Sequence, residues 1–263
     1  MNLRNNWHIL PLSITDQQKH IDRSESLLMA IQPGDAATLS WSMAAADGLV
    51  LGFSQKPDTL NPAMRATAAL PVYHRRAGGT AVLVGPHLLG LDVALPADHP
   101  LVLPDIVESY RWLGEAWVAA LQRLGITARA IPPDEAHAQR DLIKQAAARE
   151  REAILRRACY GALSPYEVVV GQRKVVGLDM IRRRQGSLLQ AGVLLHWETE
   201  TLARWLGHTP AEQDILHSGL PERAVGLDTL SGRAITPQEV IAAFELVIRS
   251  LPLHPGSVYN VQH

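Results

Sequence analysis

The chain reads as an α+β protein: a mixed, largely antiparallel β-sheet with helices on its faces. Three observations predict this. Short segments rich in Val and Leu recur along the chain between longer stretches with helical spacing. Some of these segments follow one another with only a glycine turn between them, as in hairpins. Strands and helices interleave, which suits helices laid over a sheet.

Residues 18–31 carry Ile21, Leu27, Leu28 and Ile31 at loose helical spacing. Residues 37–43 and 48–54 read as strands divided by a turn near Ala45 to Asp47. Residues 70–85 read as strand, glycine turn, strand, and 87–96 as a further strand ended by a proline. Residues 105–125 form the clearest helix. Asp105 is an N-cap candidate, Gly125 an end, and Ile106, Tyr110, Leu113, Trp117, Ala120, Leu121 and Leu124 one apolar stripe, with Trp112 and Trp117 in the core. A second, charge-rich helix is expected over 132–158, with Pro133 near its start. Residues 165–197 predict three strands with turns at Gly171-Gln172 and Arg184-Gly186. From about Thr199 the chain is helical, with caps near Thr199 and Thr236.

A net charge of −1 gives no general attraction to nucleic acid or to an anionic membrane. One cysteine excludes an internal disulfide framework and fits a reducing compartment. There is no run of roughly 20 apolar residues and no secretory pattern at the start, so a soluble cytoplasmic protein is expected. Walker A and dinucleotide fingerprints are absent, and the scattered histidines, His74 and His87 among them, suggest no metal site.

The chemistry-bearing candidates centre on Cys159. A lone cysteine is commonly a small buried hydrophobe. This one follows Arg156-Arg157, precedes the turn-prone "YGALSP", and has Lys174 one strand downstream. A nearby cation can lower a thiol pKa from about 8.5 to roughly 3.5–7.5. A hairpin over 165–174 could bring Lys174 back beside Cys159; otherwise it is a solvated lysine at a strand end. "RRAGG", residues 75–79, is either an exposed turn or a loop in which Arg75 and the amides of Gly78 and Gly79 meet an anion or acyl group. Arginines 182–184 read as a solvated turn, or as a docking face for an acidic protein.

"RRAGGTAV", "ACYGALSPYEVVVGQRKVVG" and "GSLLQAGVLL", in this order and spacing, resemble the biotin/lipoate protein ligase superfamily, and within it the cysteine-using octanoyltransferases. Weaker similarity through "LSWS" and "VLGFSQKPD" extends the resemblance over roughly residues 36–200. It implies a class II synthetase-like catalytic domain spanning 1–263, with 199–263 a mainly helical extension packed on it. It implies that Cys159 carries an acyl thioester, that Lys174 lowers its pKa, and that Arg75, Gly78, Gly79, Gly177, Gln190 and Gly192 line the acyl or acyl-adenylate pocket. The implied reaction moves an octanoyl or lipoyl group from acyl carrier protein to a lysine of a lipoyl domain, such as glycine cleavage H protein or a dehydrogenase E2 subunit. No cofactor is then required. The alternatives are a ligase using ATP and Mg, or a non-catalytic module that binds an acyl group. The chain departs from the family pattern at Val84 and Ala191, where histidines are usual, at "GLDM" after Lys174, in its first helix, and in an arginine turn one residue longer.

Overall fold

A computed structural model describes residues 7–251. The chain opens with β1 (His8–Thr15), α1 (Gln17–Ala30), β2 (Thr38–Ala44) and β3 (Gly48–Leu51). It continues with α2 (Pro62–Thr67), β4 (Val72–His74), β5 (Val82–Val84), β6 (Leu88–Pro96), α3 (Arg111–Arg123) and β7 (Arg129–Ala130). After α4 (Pro133–Asp141) and α5 (Arg149–Leu155) come β8 (Val168–Val170), β9 (Arg173–Arg182) and β10 (Gly186–Leu194). The helices α6 (Glu200–Leu206), α7 (Pro210–Arg223), α8 (Leu227–Ser231) and α9 (Pro237–Ser250) follow.

Seven strands form the main sheet in the order β1-β2-β6-β10-β9-β8-β7, and a small sheet has the order β4-β3-β5. In the main sheet only β1–β2 is parallel. The α+β architecture expected from the sequence is therefore present. The three strands of 165–197 lie where their turns predict, with Gly171 at φ +61 in the β8–β9 turn.

Local chemistry explains several differences. Residues 70–85 do not close as a hairpin: β4 and β5 lie on either side of β3, parallel and antiparallel to it. The helix of 105–125 begins at Arg111. Asp105 instead caps a preceding turn, accepting from the Val107 and Glu108 amides, and Ile106 is exposed. The long helix expected over 132–158 is broken into α4 and α5. Arg156 donates to the Gln139 and Arg140 carbonyls at the end of α4, and Arg149 to those of Ile143 and Lys144, so the freed carbonyls are satisfied without a continuing helix. Thr236 makes a full capping box with Glu239, whereas Thr199 makes no side-chain cap.

The main core lies between the sheet and the pair α3–α9, where Trp41, Trp117 and Phe244 stack at 4.2–6.0 Å. On the other face α1 and the small sheet roof over the middle strands and leave a cavity between. Among the described residues no helix is long and apolar enough to cross a membrane.

Candidate active site

The cavity measures about 600 Å³. Its floor follows from sheet register. Gly192 of β10 pairs with Gly90 of β6 and Gly177 of β9, so three glycines cross three strands in line. Two residues along, Gln190 pairs with Asp92 and Asp179, making a polar row beside the glycine row. Successive side chains alternate faces, so both rows share one face of the sheet. Val50, Val82, Val84 and Leu88 supply apolar wall.

Cys159 enters the cavity from a short 3-10 turn over Cys159–Gly161. It is half-buried, not sealed in the core. Its amide donates to the Ala81 carbonyl at 2.9 Å, and the Ala81 amide donates to Arg157 at 3.1 Å. The diglycine loop is thereby stitched to the cysteine segment. A Cβ on Gly79 would lie 3.8 Å from Cys159 Sγ, so that glycine faces the thiol.

Lys174 is brought back by the β8–β9 hairpin, one of the two arrangements the spacing allows. Its Nζ donates to the Cys159 carbonyl at 2.9 Å and pairs with Glu167 Oε2 at 2.8 Å. Lys174 is 1% and Glu167 2% exposed. The solvated-lysine alternative is therefore wrong. An ammonium has three N–H donors; two have protein partners, and Lys174 lines the cavity. Burial pushes the Glu167 carboxyl above its ordinary pKa, while Lys174 and the amides of Ser164 and Leu178 pull it back.

The other basic candidates behave differently. Arg157 is turned to Glu212 of α7, bidentate at 2.6 and 2.8 Å, and Arg156 to the end of α4. Arg157 is thus committed to Glu212 and does not line the cavity, whereas Arg156, held by α4, is part of its wall. Arg75 donates to the Gly78 and Thr80 carbonyls of its own loop, and its Nε lies 3.6 Å from Asp179. Gly79 has φ +83, and a Cβ there would stand 2.7 Å from Arg75 Nη2. Arg75 and Gly79 line the cavity; Gly78 is exposed, with nothing within 4 Å of an added Cβ.

Gly177 and Gly192 line the cavity too, but their space is taken by a residue that sequence reasoning missed. Tyr160 donates to the Gly192 carbonyl at 2.7 Å, and Cβ atoms on Gly192 and Gly177 would meet its hydroxyl at 2.7 and 3.4 Å. Burial pushes this phenol's pKa far up, so it stays a donor. Gln190 donates to Asp92 Oδ1 at 2.7 Å, and Ser24 of α1 donates to Oδ2. Asp92 thus ties α1 to the sheet, with its pKa raised by burial. Glu167 and Asp92 could have been suspected as charges set in apolar strands. Tyr160 carries no such signal.

A buried ion pair beside a half-open thiol, in an apolar cavity with a glycine loop at its mouth, defines a site fit for acyl chemistry. The lipoyl protein ligase A/B catalytic domain family matches residues 16–249, and the chain belongs to that family. An octanoyltransferase LipM from an Exiguobacterium species is 29% identical over 91% of this chain and 84% of its own length. Another from Kyrpidia tusciae is 33% identical over 63% of this chain and 57% of its own. Among solved structures, a bi-partite lipoate protein ligase from Thermoplasma acidophilum superposes with a TM-score of 0.71 at 18% identity, over 92% of this chain and 81% of that one. A lipoate-protein ligase A bound with ATP superposes with a TM-score of 0.68 at 18% identity, over 92% and 83%. These structures share the fold.

Proposed function

We propose that this protein is an octanoyltransferase of protein lipoylation, working through a thioester on Cys159. The observation that carries the reading is Cys159, half-buried in the cavity, with the Lys174 ammonium on its own carbonyl. The names of the relatives, octanoyltransferase LipM, support the acyl group.

The Cys159 thiolate attacks the carbonyl carbon of an octanoyl thioester on acyl carrier protein. The new C–S bond forms as the carrier C–S bond breaks, and the carrier thiolate takes a proton. Thioester replaces thioester, so no ATP is needed. The neutral ε-amine of a lipoyl-domain lysine, on a dehydrogenase E2 subunit or glycine cleavage H protein, then attacks. A C–N bond forms, the Cys159 C–S bond breaks, and the amine's proton ends on the thiol. Amide formation from a thioester is downhill, and division into two steps is the gain from covalent catalysis. Lys174 stabilises the thiolate, and its third N–H meets the oxyanion. Arg75 holds the diglycine loop so that Gly79 flanks the thiol, and Gly177, Gln190 and Gly192 shape the floor. The chain acts as one cytoplasmic catalytic domain, with the helices α6 to α9 as its C-terminal part.

The cavity's 600 Å³ exceeds what an octanoyl chain needs, which favours a second reading: a ligase whose Arg75, Gly79 and Lys174 hold an acyl adenylate made with ATP and Mg. Purified protein, a lipoyl domain and either octanoyl carrier protein or lipoate with ATP, offered in parallel, separates the two. The transferase turns over the carrier substrate without ATP and loses activity in Cys159→Ala. ATP-dependent turnover surviving that substitution would establish the ligase.

A further inference from the structure

Glu167 takes no bond-making part in the chemistry above, yet the chain goes to some lengths to place it. It lies at the foot of the Val168–Val170 strand, in a buried site, accepting from Lys174 Nζ, from the Ser164 amide at 2.7 Å and from the Leu178 amide at 3.3 Å. The residue before it, Tyr166, has φ +63. This left-handed conformation is costly for a bulky side chain and persists only where the surroundings impose it. Here they do. The Tyr166 amide donates to Ile131 at 2.7 Å, its hydroxyl donates to Glu108 at 2.5 Å, and Gly114 of α3 leaves room for its carbonyl. A strained, three-way anchored residue therefore aims the carboxylate at the ammonium that sits on the Cys159 carbonyl.

We propose that Glu167 is a positioning residue for the transfer: it holds Lys174 against the Cys159 carbonyl and withholds part of its charge from the thiol, setting the pH at which the thiolate forms. This rests on the reading of Cys159 as the nucleophile. An unshared cation would stabilise the thiolate more strongly and make it a poorer attacking group, since nucleophilicity falls with thiol pKa. The shared ammonium keeps the thiol nucleophilic.

Other ionisable groups line the same cavity: His20, Asp92, Arg140 and Arg156, with Arg76 paired to Glu25. Burial pushes the Tyr160 and Tyr110 phenols up, so both stay neutral. On β9 Asp179 is faced by Arg75. On the α5 and α7 side Glu152 pairs with Arg156 and Arg223, and Glu222 with Arg151.

Cys159 is the sole cysteine, so iodoacetamide labelling of the whole chain against pH reads this thiol alone, with no acyl donor present. Glu167→Gln is expected to move the labelling midpoint to acid by about one pH unit. Glu167→Asp, which keeps the charge but draws it back by a methylene, moves it the same way by less. Lys174→Met moves it to alkaline, and Glu167→Gln added to Lys174→Met changes nothing further. An unmoved or alkaline midpoint in Glu167→Gln overturns the proposal. Should melting curves show that variant unfolded, an unmoved or alkaline midpoint in Glu167→Asp overturns it equally. A purely structural glutamate would loosen the fold without an acid shift. Because labelling needs no acyl donor, its outcome is separable from the acyl-transfer assay: an acid shift without turnover would remove the transferase and keep the coupling.

Discussion

Asp92 shows how one buried carboxyl ties the site to solution conditions. Burial raises its pKa above the ordinary value, with Ser24 and Gln190 pulling it back. Between the ordinary carboxylate value, near about 4, and the raised one, the native state holds a proton that the unfolded chain has released. Stability therefore falls as pH rises through that window. Asp92→Asn removes the titration while keeping the shape. The stability of wild type minus that of Asp92→Asn, from urea unfolding, is expected to decline as pH rises above about 4; a constant difference would contradict this. The sequence points to Cys159 and Lys174 because their separation matches one turn and one hairpin. It points to Lys174 as a partner of the sulfur, whereas its Nζ contacts the Cys159 carbonyl and Glu167. Glu167 stands just ahead of three valines and seven residues before that lysine, a signal that becomes readable once the hairpin is drawn. Tyr160 fills space vacated by glycines on two strands far along the chain, and no local pattern encodes that.

The elements fall into those whose ends are chemically marked and those whose partners are remote. The β8–β9–β10 meander and α9 are foreseeable because glycine turns and a capping box mark them locally. The insertion of β3 between β4 and β5 is not foreseeable, because two short strands beside a third look locally like a hairpin. Nor is β1, to which the sequence suggests no element. It is an edge strand whose register shifts between Leu10 and Ser13, around Pro11, which has no N–H to give. Arginines 182–184 form the β9–β10 turn region. Arg182 is spent on the Leu103 carbonyl and Ser109, so it braces the loop ahead of α3. The diglycine loop supplies a paired test. Gly79→Ala puts a Cβ at φ +83 against Arg75 and should cost roughly 1–3 kcal/mol and slow formation of the acyl-enzyme. Gly78→Ala meets nothing within 4 Å and should leave both melting temperature and rate near wild type. Equal effects of the two would show that the loop's conformation does not govern the thiol.

Taken whole, the molecule places its chemistry where two layers meet. One face of the main sheet is closed by α3 and α9 over a dense aromatic core, and the other is roofed by α1 and the small sheet, which carries the diglycine loop. The positions where family histidines are usual, Val84 and Ala191, are nearly buried parts of the cavity wall, so the chain keeps an apolar lining there. The α+β class and the course of the helical tail to Ser250 follow from the sequence, and the rest of the tail, 252–263, lies outside the described residues. The cavity does not follow from it, because it is created by register across three strands. Intact-protein mass spectrometry after incubation with octanoyl carrier protein examines the proposal at its root. Wild type should gain one octanoyl group, mapped to Cys159 and discharged by a lipoyl domain, and Cys159→Ser should show no discharge through a thioester. An unchanged wild-type mass, or a label on any other residue, would contradict the account.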